Sequence, residues 1–215
     1  MRIFKTSFSA ISLLCALGVS FLMGTAAQAT PVFELSSTQD FRNNSWSFGE
    51  IFTVGGSDMN VTALGAYDAG GDGFVSSGGI PVGIFHESDD VLLTSSTVQS
   101  SDTLLDGFRY TNISPLTLLA GESYRVVAVN LNDLYNISIN TFSVDPRVTR
   151  TGYGYCNTTA LTSCDQFTGN ETIWMANFQI DGDIVTPDIP APAGLALFGL
   201  SLIGLGAIAG RRRKA

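Results

Sequence analysis

A single histidine, His86, stands in this chain of 215 residues, at the end of an apolar run and beside Glu87, Asp89 and Asp90. Serine, cysteine and metal-dependent hydrolases draw their base or their ligands mostly from histidine. The abundant serines form no Gly-x-Ser-x-Gly elbow. A glycosidase would need two carboxyls roughly 5 to 10 Å apart. Nineteen acidic residues supply such pairs by number alone, which decides nothing. The chain is therefore expected not to be an enzyme, with a hydrolase of unrecognised site as the least supported reading. His86 is expected to be an exposed turn residue.

Two clusters could bind rather than react. Asp68-Ala69-Gly70-Gly71-Asp72-Gly73 sets two carboxylates four residues apart, among glycines that let backbone carbonyls turn inward. That suits the flexible oxygen shell of Ca²⁺, although the alternating acids and final glutamate of an EF-hand are missing. Aspartate and glycine also make a plain turn, and no other cofactor is expected. Trp46, Tyr153 and Tyr155 lie in polar, turn-rich stretches and could offer flat faces to sugars. Packing in the core or within loops is the competing use, and Trp174 is expected in the core.

The elements that must position these residues are strands, since helical periodicity is nearly absent. Runs rich in Val, Ile, Thr, Tyr and Phe between Gly, Asn, Asp and Ser clusters predict strands. They fall at about Phe48–Val54, Asn60–Tyr67, Ile80–His86, Val91–Val98, Gly107–Ile113, Ser123–Leu131, Tyr135–Phe142 and Thr172–Ile180. In the last, Trp174, Ala176, Phe178 and Ile180 alternate with Asn177 and Gln179, as a half-buried strand requires. Such strands predict an all-β fold, an antiparallel jelly-roll-like β-sandwich. Asp145–Asn170 has no strand pattern and is expected to be a long loop.

Both ends carry targeting chemistry. Arg2 and Lys5 precede an apolar run, Ile11–Met23, and Ala27-Gln28-Ala29 has the small-x-small form of a cleavage site, so 1–29 is expected to be a signal peptide. Near the other end, Ala193–Gly210 runs eighteen residues without a charge. As a helix it would span roughly 27 Å, close to the ~30 Å hydrocarbon core of a bilayer. Arg211, Arg212, Arg213 and Lys214 follow and would hold that end in the cytoplasm. The organisation expected is thus a signal peptide, an exported domain over 30–186, and a sorting or anchor segment over 187–215 with one transmembrane helix.

Charge and cysteines refine this picture. The exported part holds all nineteen acidic residues, counting Asp188, against five arginines (Arg42, Arg109, Arg125, Arg147 and Arg150) and no lysine, about −14. That excludes nucleic acid as a natural partner. Cys156 and Cys164, with seven residues between them, are expected to form a disulfide in an oxidising compartment.

The order of parts near the C-terminal end, Pro187, Pro190-Ala191-Pro192, short apolar helix and basic cluster, resembles the PEP-CTERM sorting signal of Gram-negative surface proteins, here as a Pro-Ala-Pro variant. The resemblance implies a membrane-embedded exosortase as processing partner, with Pro190, Ala191 and Pro192 at the processing site. It also implies passage through an inner-membrane-anchored state to the cell surface or medium. Within the exported part, Phe52-Thr53-Val54, Val61-Thr62-Ala63-Leu64-Gly65, Val82-Gly83-Ile84-Phe85, Gly107-Phe108-Arg109-Tyr110 and Ala120-Gly121-Glu122-Ser123-Tyr124 are similar to a domain of unknown function. That domain occurs in secreted bacterial proteins with such tails and is expected to be a β-sandwich related to carbohydrate-binding modules. The function these features imply is a non-enzymatic surface or exopolysaccharide-associated protein, or else a carbohydrate-binding module displayed at the envelope.

Overall fold

Branched and aromatic side chains pack well on a pleated surface, and Gly, Asn and Asp turn the chain between such runs. The computed structural model describes residues 29–37, 39–139, 142–167 and 171–182. All but Ala29 of the expected signal peptide lies outside these residues. So does the whole of 187–215, with Pro190, Ala191, Pro192 and the cluster Arg211, Arg212, Arg213, Lys214. In chain order the strands are β1 (Thr30–Pro31), β2 (Phe33–Leu35), β3 (Asp40–Phe41), β4 (Ser47–Val54), β5 (Met59–Tyr67), β6 (Ile80–His86), β7 (Leu92–Val98) and β8 (Thr103–Leu105). The second half adds β9 (Phe108–Leu118), β10 (Ser123–Val129), β11 (Tyr135–Ile139), β12 (Phe142–Val144), β13 (Val148–Cys156), β14 (Gln166–Phe167), β15 (Glu171–Trp174) and β16 (Ala176–Ile180). One 3₁₀ turn, Ala69–Gly71, is the only helical element among the described residues.

A five-stranded sheet runs β1-β16-β5-β9-β8 and a six-stranded sheet β14-β13-β4-β10-β6-β7. Two smaller sheets, β15-β11-β3 and β12-β2, complete an all-β chain whose described pairings are antiparallel. The two large sheets face each other, as the layers of a β-sandwich do. Phe52 of β4 stacks on Phe178 of β16 with ring centroids 4.9 Å apart. Phe33 of β2 closes the cluster, 6.0 Å from Phe178 and 5.0 Å from Trp174. Trp174 is fully buried, as expected, and so are Leu64, Ile84 and Val126.

The expected strands at Phe48–Val54, Asn60–Tyr67, Ile80–His86 and Val91–Val98 are β4 to β7, with ends moved by one residue at most. Three expectations need correction. The strand expected to run unbroken over Thr172–Ile180 divides at Met175. This fully buried residue gives its carbonyl to the Tyr67 amide, 3.0 Å away. The bend hands the chain from the small sheet, where β15 pairs with β11, to the large one, where β16 pairs with β5. Tyr135–Phe142 likewise parts into β11 and the start of β12. Asp145–Asn170 is no loop throughout: β13 runs nine residues beside β4. Its signal was hidden by Gly152 and Gly154, which weaken a strand pattern, and by a bulge between Arg150 and Gly152 that breaks the alternation.

The bulge brings Arg150 onto Glu50 of β4, Nε to Oε2 2.5 Å, with both side chains nearly sealed from solvent. Burial pushes the Glu50 carboxyl up to about 8, which the attraction of Arg150 only partly offsets. A folded-state value raised above the unfolded one means stability that is complete below about pH 4.5 and lost as pH rises through about 8. Glu50→Gln should therefore flatten the fall in melting temperature that wild type shows between about pH 5 and about pH 8. Arg150→Met, which leaves Oε2 without its donor, should cost about 1–3 kcal/mol by urea unfolding.

Candidate functional site

The outer face of the six-stranded sheet is built around Arg125. It sits mid-strand in β10 with its side chain 4% exposed. Its guanidinium donates twice to Glu87, at 3.0 and 2.6 Å, and its Nη1 donates to the Cys164 carbonyl. Cys156 and Cys164 are disulfide-bonded, as the spacing suggested, with Cα atoms 5.6 Å apart. The bridged segment is laid over the sheet: the hydroxyls of Ser45 and Ser47 donate to the carbonyls of Thr158 and Thr162, at 3.0 and 2.7 Å. Gly154 lets it approach, since a Cβ there would meet the Asp165 carbonyl at 2.7 Å. The loop is thus a cover for this face, held at one end by a covalent bond and along its length by hydrogen bonds.

The two aspartates of the glycine-rich loop line one cleft of about 330 Å³ but differ in their surroundings. Asp68 is buried, and both its oxygens accept the Gly73 amide at 3.1 Å. Arg109 of β9 donates to Asp68 Oδ2 at 2.5 Å, and to the carbonyls of Gly71 and Asp102 at 2.8 and 3.0 Å. Asp72 is exposed beyond the 3₁₀ turn. Among the described residues no three His, Cys, Asp or Glu side chains are grouped to hold a metal. Beside the loop opens an acidic cleft of about 620 Å³, lined by Glu34, Asp40, Asp68 and Asp106. Asp40 there accepts the Tyr67 hydroxyl at 2.6 Å.

Trp46, Tyr153 and Tyr155 do meet, in one aromatic row. Tyr155 lies 5.9 Å from Trp46 and 6.3 Å from Tyr153, and Phe167 of β14 stacks on Tyr155 at 4.9 Å. The rings spend their faces on one another: Tyr153 is buried, and Trp46 and Tyr155 pack against the core. Phe167, 37% exposed, is the open end of the row. Both tyrosines belong to β13 rather than to a turn. His86 ends β6 beside Asp89, 2.9 Å away, and Glu122, 3.6 Å away. The hydrogen bond that its Nδ1 donates to Asp89 is the main cause holding its imidazole above the ordinary range.

Residue types alone did not reveal that Arg109, Arg125, Arg147 and Arg150 each take an acidic partner. The one available hint was a charged residue inside an otherwise apolar strand pattern, as with Arg125 in Ser123–Val129. No protein-family model matches this chain, and no curated protein matches it.

Two outcomes test this geometry. Replacing Cys156 and Cys164 by serine should cost about 2–3 kcal/mol and speed amide exchange in 157–165 ahead of the sheets. Asp68→Asn should lower the melting temperature equally with and without calcium, whereas Asp72→Asn should change stability by less than about 0.5 kcal/mol. A calcium-dependent rise in melting temperature that Asp72→Asn abolishes would identify the loop as a cation site.

Proposed function

We propose that this is a non-enzymatic exported protein of the cell surface or its exopolysaccharide. It is carried out by its signal peptide, held in the inner membrane by its apolar segment, and processed near Pro190-Ala191-Pro192 by an exosortase-type enzyme. The observation that carries the reading is the tail's order of proline elbow, barely spanning apolar run and four basic residues. The Cys156–Cys164 bond supports it, being the kind of cross-link an oxidising compartment keeps. The acids the fold buries serve structure: Asp68 holds Arg109, Glu50 holds Arg150, and Asp133 accepts the amides of Val75 and Ser76.

The finer form of the fold, a jelly-roll, belongs to the same reading, as does the likeness to carbohydrate-binding modules. The alternative is a carbohydrate-binding module displayed at the envelope, favoured by a cleft of mixed polar and apolar lining beside Tyr110.

Proline disfavours helix in itself and in the residue before it, so the segment around Pro190 and Pro192 is offered extended to the processing enzyme. The basic cluster sets its depth. Pro190→Ala with Pro192→Ala should block cleavage while leaving the protein membrane-bound, and neutralising Arg211 to Lys214 should misplace or abolish processing. The measurement is the size of the protein in membrane and medium fractions, with and without the host's exosortase. Full-length tail on all of the protein in an exosortase-bearing cell would leave only a permanent anchor.

A further inference from the structure

The outer face of the five-stranded sheet carries a trough that its register explains. Residues directly opposite one another across antiparallel strands share a face. Gln179, Ala63 and Asn112 stand in one rung across β16, β5 and β9. Gly65, Tyr110 and Thr103 stand in the next, across β5, β9 and β8. Strand β5 thus offers only the small residues Ala63 and Gly65 to these two rungs, between taller neighbours. The Tyr110 ring lies down over Gly65, where a Cβ would sit 2.5 Å from its Cε1. The result is a cleft of about 290 Å³, with Gln179, Asn112, Thr103 and Tyr110 around it and Leu104 and Leu105 along one side; Ala29, the last residue of the expected signal peptide, also lines it. Leu104 also borders the acidic cleft of Glu34 and Asp106, so the two depressions meet there.

The polar groups of this trough are not used by the fold. The side chains of Thr103, Asn112 and Gln179 make no hydrogen bond to another described residue. Tyr110 is only 5% exposed, and its hydroxyl has no partner among the described residues. A buried hydroxyl without a partner costs free energy, and native proteins leave few of them. Burial, with the nearby Asp106 and Glu34 carboxylates, raises the phenol's proton affinity, so it stays a donor across the physiological range. Uncharged donors and acceptors beside an aromatic ring and leucines match a sugar's hydroxyls and its apolar face. The acids bordering the trough repel a carboxylate- or phosphate-bearing chain.

We propose that this trough, not the aromatic row of Trp46, Tyr153 and Tyr155, is a binding site for a neutral polysaccharide. Tyr110, Asn112 and Gln179 hydrogen-bond one small unit of the chain, and Leu104 marks where the chain leaves toward the acidic cleft. The inference rests on the exopolysaccharide-associated reading above and names its contact surface.

The test is affinity electrophoresis of the purified exported protein through gels holding a glucan, a mannan or a galactan, with alginate as the anionic control. Retardation by at least one neutral polymer and none by alginate is expected. Tyr110→Phe should weaken binding by about tenfold or more while keeping or raising the melting temperature, because it deletes a hydroxyl the fold leaves unpartnered. Asn112→Ala should weaken binding without unfolding the domain. Retardation that both variants retain would overturn the trough and leave the exopolysaccharide reading standing. Failure of every neutral polymer, or stronger retardation by alginate, would overturn the inference, and the tail-processing assay then judges the broader reading by itself.

Discussion

The contact on which the described fold depends is the stacking of Phe52 on Phe178, one ring from each large sheet, with Phe33 set across both. Aromatic side chains of this kind bury roughly 150–250 Å² each, and removing that area from water is the dominant favourable term in folding. Phe52 belongs to β4, which is flanked by β13 and β10. Phe178 belongs to β16, which is flanked by β1 and β5. Each ring therefore sits in a strand bonded on both sides, and fixing the pair fixes the facing of both sheets. Phe33 then draws the N-terminal segment onto the layers, and the Asn177 side chain secures it through the Phe33 amide and carbonyl at 3.2 and 2.7 Å.

A second constraint follows from charge. A domain of about −14 has few cations with which to neutralise any acid it buries, and it places three of them, Arg109, Arg125 and Arg150, inside strands. Arg125 anchors the cover of one sheet, Arg109 ties β9 to the glycine-rich loop, and Arg150 fills the bulge of β13. Each spans a long sequence separation, so each acts as a tertiary tie rather than a local turn device. Asp133 is buried instead on the amides of Val75 and Ser76, and most other described acids are at the surface, where mutual repulsion favours solubility.

Most strand positions were legible because apolar alternation is a local property, and β4, β5 and β6 announce it within their own residues. Strand β13 was not, because two glycines and a bulge erase alternation while the partner β4, about a hundred residues earlier, restores the pairing. The disulfide was legible from the close spacing of Cys156 and Cys164. The glycine-rich loop was legible as a turn, yet the spacing of Asp68 and Asp72 could not show that Arg109 takes the first aspartate. Trp46, Tyr153 and Tyr155 were rightly grouped, but their faces turned out to be spent on one another and on Phe167.

By itself the sequence determined the all-β class, the turns between strands, the acidity of residues 30–188 and the cysteine pair. These depend on residue type and short-range period, which every stretch of chain carries alone. The apolar runs and flanking basic residues of 1–29 and 187–215 are likewise properties of sequence order. Only the tertiary structure decided which carboxylates meet arginines, which face the disulfide loop covers, and that Ala63 and Gly65 leave a trough beside an unpartnered Tyr110. Those outcomes depend on register between strands far apart in the chain. A shift of one residue would turn every side chain to the opposite face, and nothing within a single strand records its partner's register.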